Sequence, residues 1–375
     1  MAKPLAELSA QGVSTWVDSI ARDWLEKGEL GRLRDEFSVV GVTSNPTIFQ
    51  AAMSSGSFYD AQLAELAAKG LDAPEIFERL ALEDVRRAAE EMSPVYERTD
   101  GQDGYVSYEV APDLARDTER TGSEAKRLFD ELSLPNIMIK IPATAEGLPA
   151  IEASIARGIN VNVTLIFSIE RYRQVVEAYL SGLEKRVNQG QPIDRIASVA
   201  SFFISRVDSL VDPLLTERAR GGDADAKLAT ARLGTTAIDN AKLAYEASQG
   251  LFDGPRWEPL LEHGARRQRC LWASTSTKNP DYRDVLYCEE LIGSDTVNTM
   301  PLGTIEAFAD HGEVRGQTLQ DDLDRAHRLW SDLQHLGIDE RQVGEQLEDE
   351  GVEKFSESYE DVLTTVEAER RAALQ

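Results

Sequence analysis

Short apolar segments alternate along the chain with longer ones in which apolar positions recur every three to four residues. The short segments predict strands at 13–19, 39–44, 106–111, 137–144, 160–167, 197–203, 269–274 and 296–300. The longer ones predict amphipathic helices at 57–69, 73–92, 116–132, 168–189 and 227–248, with two acidic ones, 319–336 and 352–374, after the last strand. Strand and helix in alternation predict a parallel sheet with crossover helices. Eight strands and no Gly-rich first turn favour an α/β fold of the closed (β/α)₈, TIM-barrel kind over an open doubly wound sheet. The expected organisation is one domain over 1–375. Its barrel spans about 13–310, and an acidic helical extension, about 311–375, packs on the barrel exterior.

Within the strands, polar side chains keep one parity. At 137–144, IMIKIPAT, alternation puts Ile137, Ile139 and Ile141 on one face and Met138, Lys140 and Pro142 on the other. Burial disfavours an ammonium, and a free amine is what a lysine needs to attack a carbonyl. Two readings stand for Lys140 alone: a Schiff-base nucleophile, or an edge lysine reaching solvent. Elsewhere Asp18 shares a face with Trp16 and Ser14, Thr43 with Asn45, Glu109 with Ser107, Asn162 with Thr164, and Ser201 with Phe203. Val161, Val163, Leu165 and Phe167 are expected on the opposite, helix-facing side. Singly, Asp18 reads equally as a helix cap, Asn45 before Pro46 as turn chemistry, and Thr164 as a strand former. Together they bring two carboxylates, carboxamides, hydroxyls and a lysine to one barrel mouth, where chemistry collects in this fold. A proton-shuttling carboxylate and polar groups for water and sugar hydroxyls complete what a Schiff-base lysine requires.

Composition narrows the function classes. The 375 residues carry 42% hydrophobic and 28% charged side chains, enough for a large core. Acidic residues outnumber basic ones 66 to 40, a net charge of −26, which argues against a nucleic-acid partner. No apolar run is long enough to span a membrane, and residues 1–8 lack the pattern of an export signal, so a cytoplasmic protein is expected. Cys270 and Cys288 suggest no disulfide framework, and His263, His311, His327 and His335 fall in no metal spacing.

Four motifs, TSNPTIF at 43–49, IMIKIPAT at 137–144, INVNVTLIFS at 159–168 and SFFISRV at 201–207, resemble the transaldolase family in order and approximate spacing. The resemblance covers about 13–301. It implies that Lys140 forms the Schiff base and that Asp18, in WVDS, is the general acid/base at the C4 hydroxyl. Glu109, in SYEV, and Thr164, in VNVT, would work through a catalytic water. Asn45 and Asn162 would hold the three-carbon unit, with Ser201, Thr43 and Phe203 at the same end of the site. Arg206 would bind substrate phosphate. A departure follows the seventh strand: STSTKN at 274–279 places Lys278 where better-known members have a second phosphate-binding arginine. Lysine binds phosphate as a point charge, without the arginine fork.

The implied reaction transfers a dihydroxyacetone unit from fructose 6-phosphate or sedoheptulose 7-phosphate to glyceraldehyde 3-phosphate or erythrose 4-phosphate. It calls for no metal or organic cofactor, because the protonated imine is the electron sink. The implied partners are sugar phosphates, with the chain a monomer or a homodimer. Two alternatives remain at this point. One is a fructose 6-phosphate aldolase, against which Phe203 speaks, since related aldolases tend to carry tyrosine there. The other is a sugar-phosphate-binding barrel without chemistry.

Overall fold

The computed structural model describes residues 3–375. Among them eight parallel strands close in sequence order: β1 Val13–Asp18, β2 Val39–Thr43, β3 Val106–Glu109, β4 Ile137–Pro142, β5 Val161–Ile166, β6 Ser198–Phe203, β7 Arg269–Ala273 and β8 Thr296–Met300. Pairing of Val13 with Thr296 through Val17 with Met300 seals the ring. The expected (β/α)₈ barrel is therefore present, with each strand within two residues of its predicted ends. Buried on both faces by barrel interior and helices, such strands read as near-continuous apolar runs.

Register carries the inward parity around the ring. Trp16 pairs with Gly41, Asp18 with Thr43, Glu109 with Lys140, Lys140 with Asn162, and Ser201 with Leu271. The N-terminal end is closed by a buried polar cluster. Asp103 accepts from Ser14 Oγ (2.7 Å), Trp16 Nε1 (3.2 Å) and Arg269 Nη2 (3.0 Å). Above it the Trp16 ring fills the barrel because Gly41 has no side chain; a Cβ there would stand 2.5 Å from the indole. Gly41→Ala is expected to destabilise the barrel by about 1–3 kcal/mol through overpacking, read as a lower denaturant midpoint at unchanged slope.

Three expectations need correction. The helix expected at 227–248 is two, Ala224–Arg232 and Thr236–Leu251, interrupted at Gly234, whose φ of 67° lies in the left-handed region. The first of the two helices expected after β8 is a 3₁₀ turn, Thr318–Gln320, and two short helices, Leu323–His327 and Leu329–His335; the second begins twelve residues early and runs Glu340–Ala373. Gly344 and Gly351 hid its first half, since each glycine weakens a helix by about 1 kcal/mol relative to alanine. Asp339 caps its start, accepting from Gln342 N at 3.0 Å. Nor is this helix confined to the exterior. Its buried face, Val343, Leu347, Gly351, Phe355, Val362 and Val366, crosses the barrel mouth. There Thr47 Oγ1 meets Ser358 Oγ at 2.8 Å, and Arg171 pairs with Glu348 at 3.1 Å.

The third correction lies in β5. Val163 pairs with Ala200 and Ile166 with Phe202, so three steps on β5 match two on β6. This is a bulge, and Leu165 occupies it at φ 59°, a conformation that strains a side-chain-bearing residue by about 1–3 kcal/mol. Parity flips beyond Thr164. Leu165 is turned toward Gly351 of the C-terminal helix, and the Phe167 ring packs on Phe203 at 5.7 Å, rather than both facing the surrounding helices.

Candidate active site

A cavity of about 870 Å³ opens at the C-terminal ends of the strands. It is lined by Asp18, Thr43, Asn45, Lys140, Ser201, Phe203, Arg206 and Lys278, eight of the eleven residues singled out in the sequence. Glu109, Asn162 and Thr164 do not reach its wall. They stand on the flanking strands, bound to or aligned with the residues that do.

Lys140 is 4% exposed. Its Nζ lies 3.1 Å from Glu109 Oε2 and donates to Ser44 O at 3.2 Å. The contact with Glu109 is an ion pair without hydrogen-bond alignment, so Oε2 has no aligned donor; the buried Thr164 Oγ1 also lacks a partner. Burial pushes the Glu109 carboxyl above the usual carboxylate range, with Lys140 opposing. Around Lys140, Ser201 Oγ donates to Asn162 Oδ1 (2.7 Å) and Asn162 Nδ2 to Ser107 Oγ (3.0 Å), fixing the carboxamide.

On the opposite wall Thr43 Oγ1 donates to Asp18 Oδ1 at 2.7 Å and stands 2.7 Å from Thr299 Oγ1. Burial raises the Asp18 carboxyl as well, against the pull of Lys140, the Thr43 hydrogen bond, Arg206 and Lys278. Both carboxyls are thus shifted toward the range where a group can take and return a proton near neutrality. Asn45 caps the helix Pro46–Met53, accepting from Ile48 N at 3.0 Å, so its cap role and its place on the cavity wall coexist.

Arg206 is half-buried and forms no ion pair among the described residues. Its guanidinium carbon sits 4.8 Å from the Phe203 ring centre and 5.5 Å from that of Phe355. Burial lowers its proton affinity, opposed by Glu109, Glu350 and Asp18. Lys278, exposed, donates to Ser276 Oγ at 2.7 Å. The C-terminal helix adds Leu347, Glu350, Lys354 and Phe355 to the cavity, and the Phe355 ring lies 5.4 Å from Lys140 Nζ. None of these four was singled out in the sequence. A signal was present: Leu347, Gly351, Phe355 and Ser358 share one helical stripe that interrupts an otherwise charged segment.

A buried lysine paired with a glutamate, facing an aspartate across a cation-lined cavity, is an arrangement able to support Schiff-base chemistry. The family model described as transaldolase/fructose-6-phosphate aldolase matches residues 15–366. The chain belongs to this family. Its similarity to curated members is full-length. A transaldolase of Thermobifida fusca is 50% identical over 366 residues, 98% of each chain, and one of Mycolicibacterium smegmatis is 49% identical over 369 residues, again 98% of each. One of Parafrankia sp. is 49% identical over 366 residues, covering 98% of both. The family match runs past the eighth strand into the C-terminal helix, beyond the stretch over which the sequence motifs are recognisable.

Proposed function

We propose that the chain is a transaldolase of the non-oxidative pentose phosphate pathway, acting on sugar phosphates in the cytoplasm. The observation that carries the reading is Lys140 on the wall of a cavity that also holds Asp18 and the unpaired Arg206, with Glu109 buried behind it at 3.1 Å. Lys140, having given its proton to Glu109, attacks the C2 ketone of fructose 6-phosphate or sedoheptulose 7-phosphate. Glu109, through a water that Thr164 helps to hold, returns the proton as hydroxide leaves the carbinolamine as water, giving the iminium. Asp18 then takes the C4 hydroxyl proton, the C3–C4 bond breaks, and its electrons move into the iminium to form an enamine. An aldose phosphate departs. The enamine adds to the aldehyde of glyceraldehyde 3-phosphate or erythrose 4-phosphate, Asp18 returns the proton, and water releases the new ketose phosphate. Asn45 and Ser201 hold the three-carbon unit, with Asn162 orienting the Ser201 hydroxyl from behind the wall, while Arg206 and Lys278 hold the phosphate at the aldose end.

Phe203 favours transfer over hydrolytic release. Its ring is wedged against Phe167 and Phe355 and offers no hydroxyl to help protonate the enamine. Without acceptor, free dihydroxyacetone should therefore accumulate only slowly; rapid release would favour the aldolase reading. Residues 1–375 are read as one working unit, monomeric or homodimeric, because the C-terminal helix walls the barrel's own cavity. The testing measurement is intact mass after borohydride reduction with fructose 6-phosphate, followed by peptide mapping. A reduced three-carbon adduct on Lys140 is expected; no adduct on any lysine, with binding shown separately, would leave a barrel that binds without chemistry.

A further inference from the structure

Three cations converge on one end of the cavity. Arg206 comes from the start of the helix Ile204–Ala219, Lys278 from the segment after β7, and Lys354 from the C-terminal helix. Lys354 has no ion pair among the described residues, and no member of the trio is paired with a carboxylate there. The three lie close enough to repel one another: beside partial desolvation, Lys354 and then Arg206 lower the proton affinity of Lys278. Glu350 lies on the same wall, but its Oε1 accepts from Gln346 Nε2 at 2.7 Å and it makes no ion pair with the trio. Like charges left facing one another in a protein of net charge −26 mark a place prepared for an anion.

The helix is shaped to bring its cation there. At Gly351 a Cβ would stand 2.8 Å from Leu165 Cδ2 and 3.3 Å from Arg206 Nη1, so the missing side chain lets the helix backbone settle on the bulge of β5 and on the guanidinium. Lys354 and Phe355 follow one turn later on the same face. Phe355 covers Arg206, and Lys354 is the residue beside it.

We propose that Lys354 is a third phosphate-binding cation, so that the C-terminal helix, and not the barrel alone, forms the phosphate subsite and sets the preference for phosphorylated aldoses. The inference rests on the transaldolase reading for its substrate, and on the geometry alone for its anion. Lys354 is exposed and glutamine has similar helix propensity, so Lys354→Gln keeps the fold. In that variant the ratio of kcat/KM for erythrose 4-phosphate over erythrose is expected to fall about tenfold, mainly through KM, and Lys354→Arg to restore most of it. Affinity for inorganic phosphate, measured by calorimetry without turnover, should weaken to a similar degree. A ratio and a phosphate affinity both within about twofold of the parent overturn the proposal. Absence of a Lys140 adduct in the parent would instead remove the transaldolase reading, and phosphate affinity would still decide the role of Lys354.

Discussion

Replacing Lys140 with methionine is expected to lower kcat by at least about 10⁴-fold and to abolish the borohydride adduct, while sugar phosphate binding persists. Methionine keeps the unbranched stem and fills the same space, so the loss is one of chemistry. The substitution also removes the cation beside Glu109. That carboxyl is already raised by burial, and Lys140 is the main influence holding it down. Without Lys140 it takes up a proton instead of remaining a buried unpaired charge. A group whose pKa is raised on folding favours the folded state below its unfolded pKa and loses that contribution as pH rises through the folded one. The melting temperature of the variant should therefore fall relative to the parent as pH rises through and above the ordinary carboxylate range. Full activity in this variant would eliminate the Schiff-base mechanism, whatever the family of the chain.

Asp18→Asn separates imine formation from bond cleavage. An amide cannot accept the C4 hydroxyl proton, so kcat should fall by roughly 10²–10⁴ while Lys140 still condenses with the ketone. Borohydride with fructose 6-phosphate should then trap the intact six-carbon phosphate on Lys140, where the parent traps three carbons. A three-carbon adduct formed at the parental rate would show that another group takes the proton. On the proposed mechanism the parent needs Asp18 ionised, and burial raises its carboxyl. Activity should thus fall on acidification at a pH above that of an ordinary aspartate, and this limb should be missing from the residual activity of the variant. By the same sign argument the ionised, buried Asp18 opposes folding near neutrality, so the amide should raise the melting temperature.

Most of the barrel was legible because strands buried on both faces are apolar almost throughout, and because the polar exceptions fall where side chains point inward. Lys140 among isoleucines is the clearest case. Period two holds only while the pleat is unbroken. In β5 the chain identity of Leu165 gave no hint of a left-handed backbone, since leucine has no preference for it; neighbouring packing imposes it. The site was legible where a side chain sits on a strand or just after one, as with Asp18, Arg206 and Lys278. The wall from 347 to 355 was not. It lies far along the chain from the strands it covers, its two glycines weaken the helical pattern, and its charged residues resemble a solvated face. Nothing in a single sequence states which distant surface a helix will settle on.

The C-terminal helix meets the barrel through side chains such as Thr47–Ser358 and Arg171–Glu348, not through strand pairing. Lys140, Glu109 and Asp18 are held by the hydrogen-bonded ring itself. On the proposed roles, reaction chemistry and acceptor choice are encoded in separable parts of the gene. On the role proposed for Lys354, substitution there retunes which aldoses are accepted while the strands that fix Lys140 stay as they are.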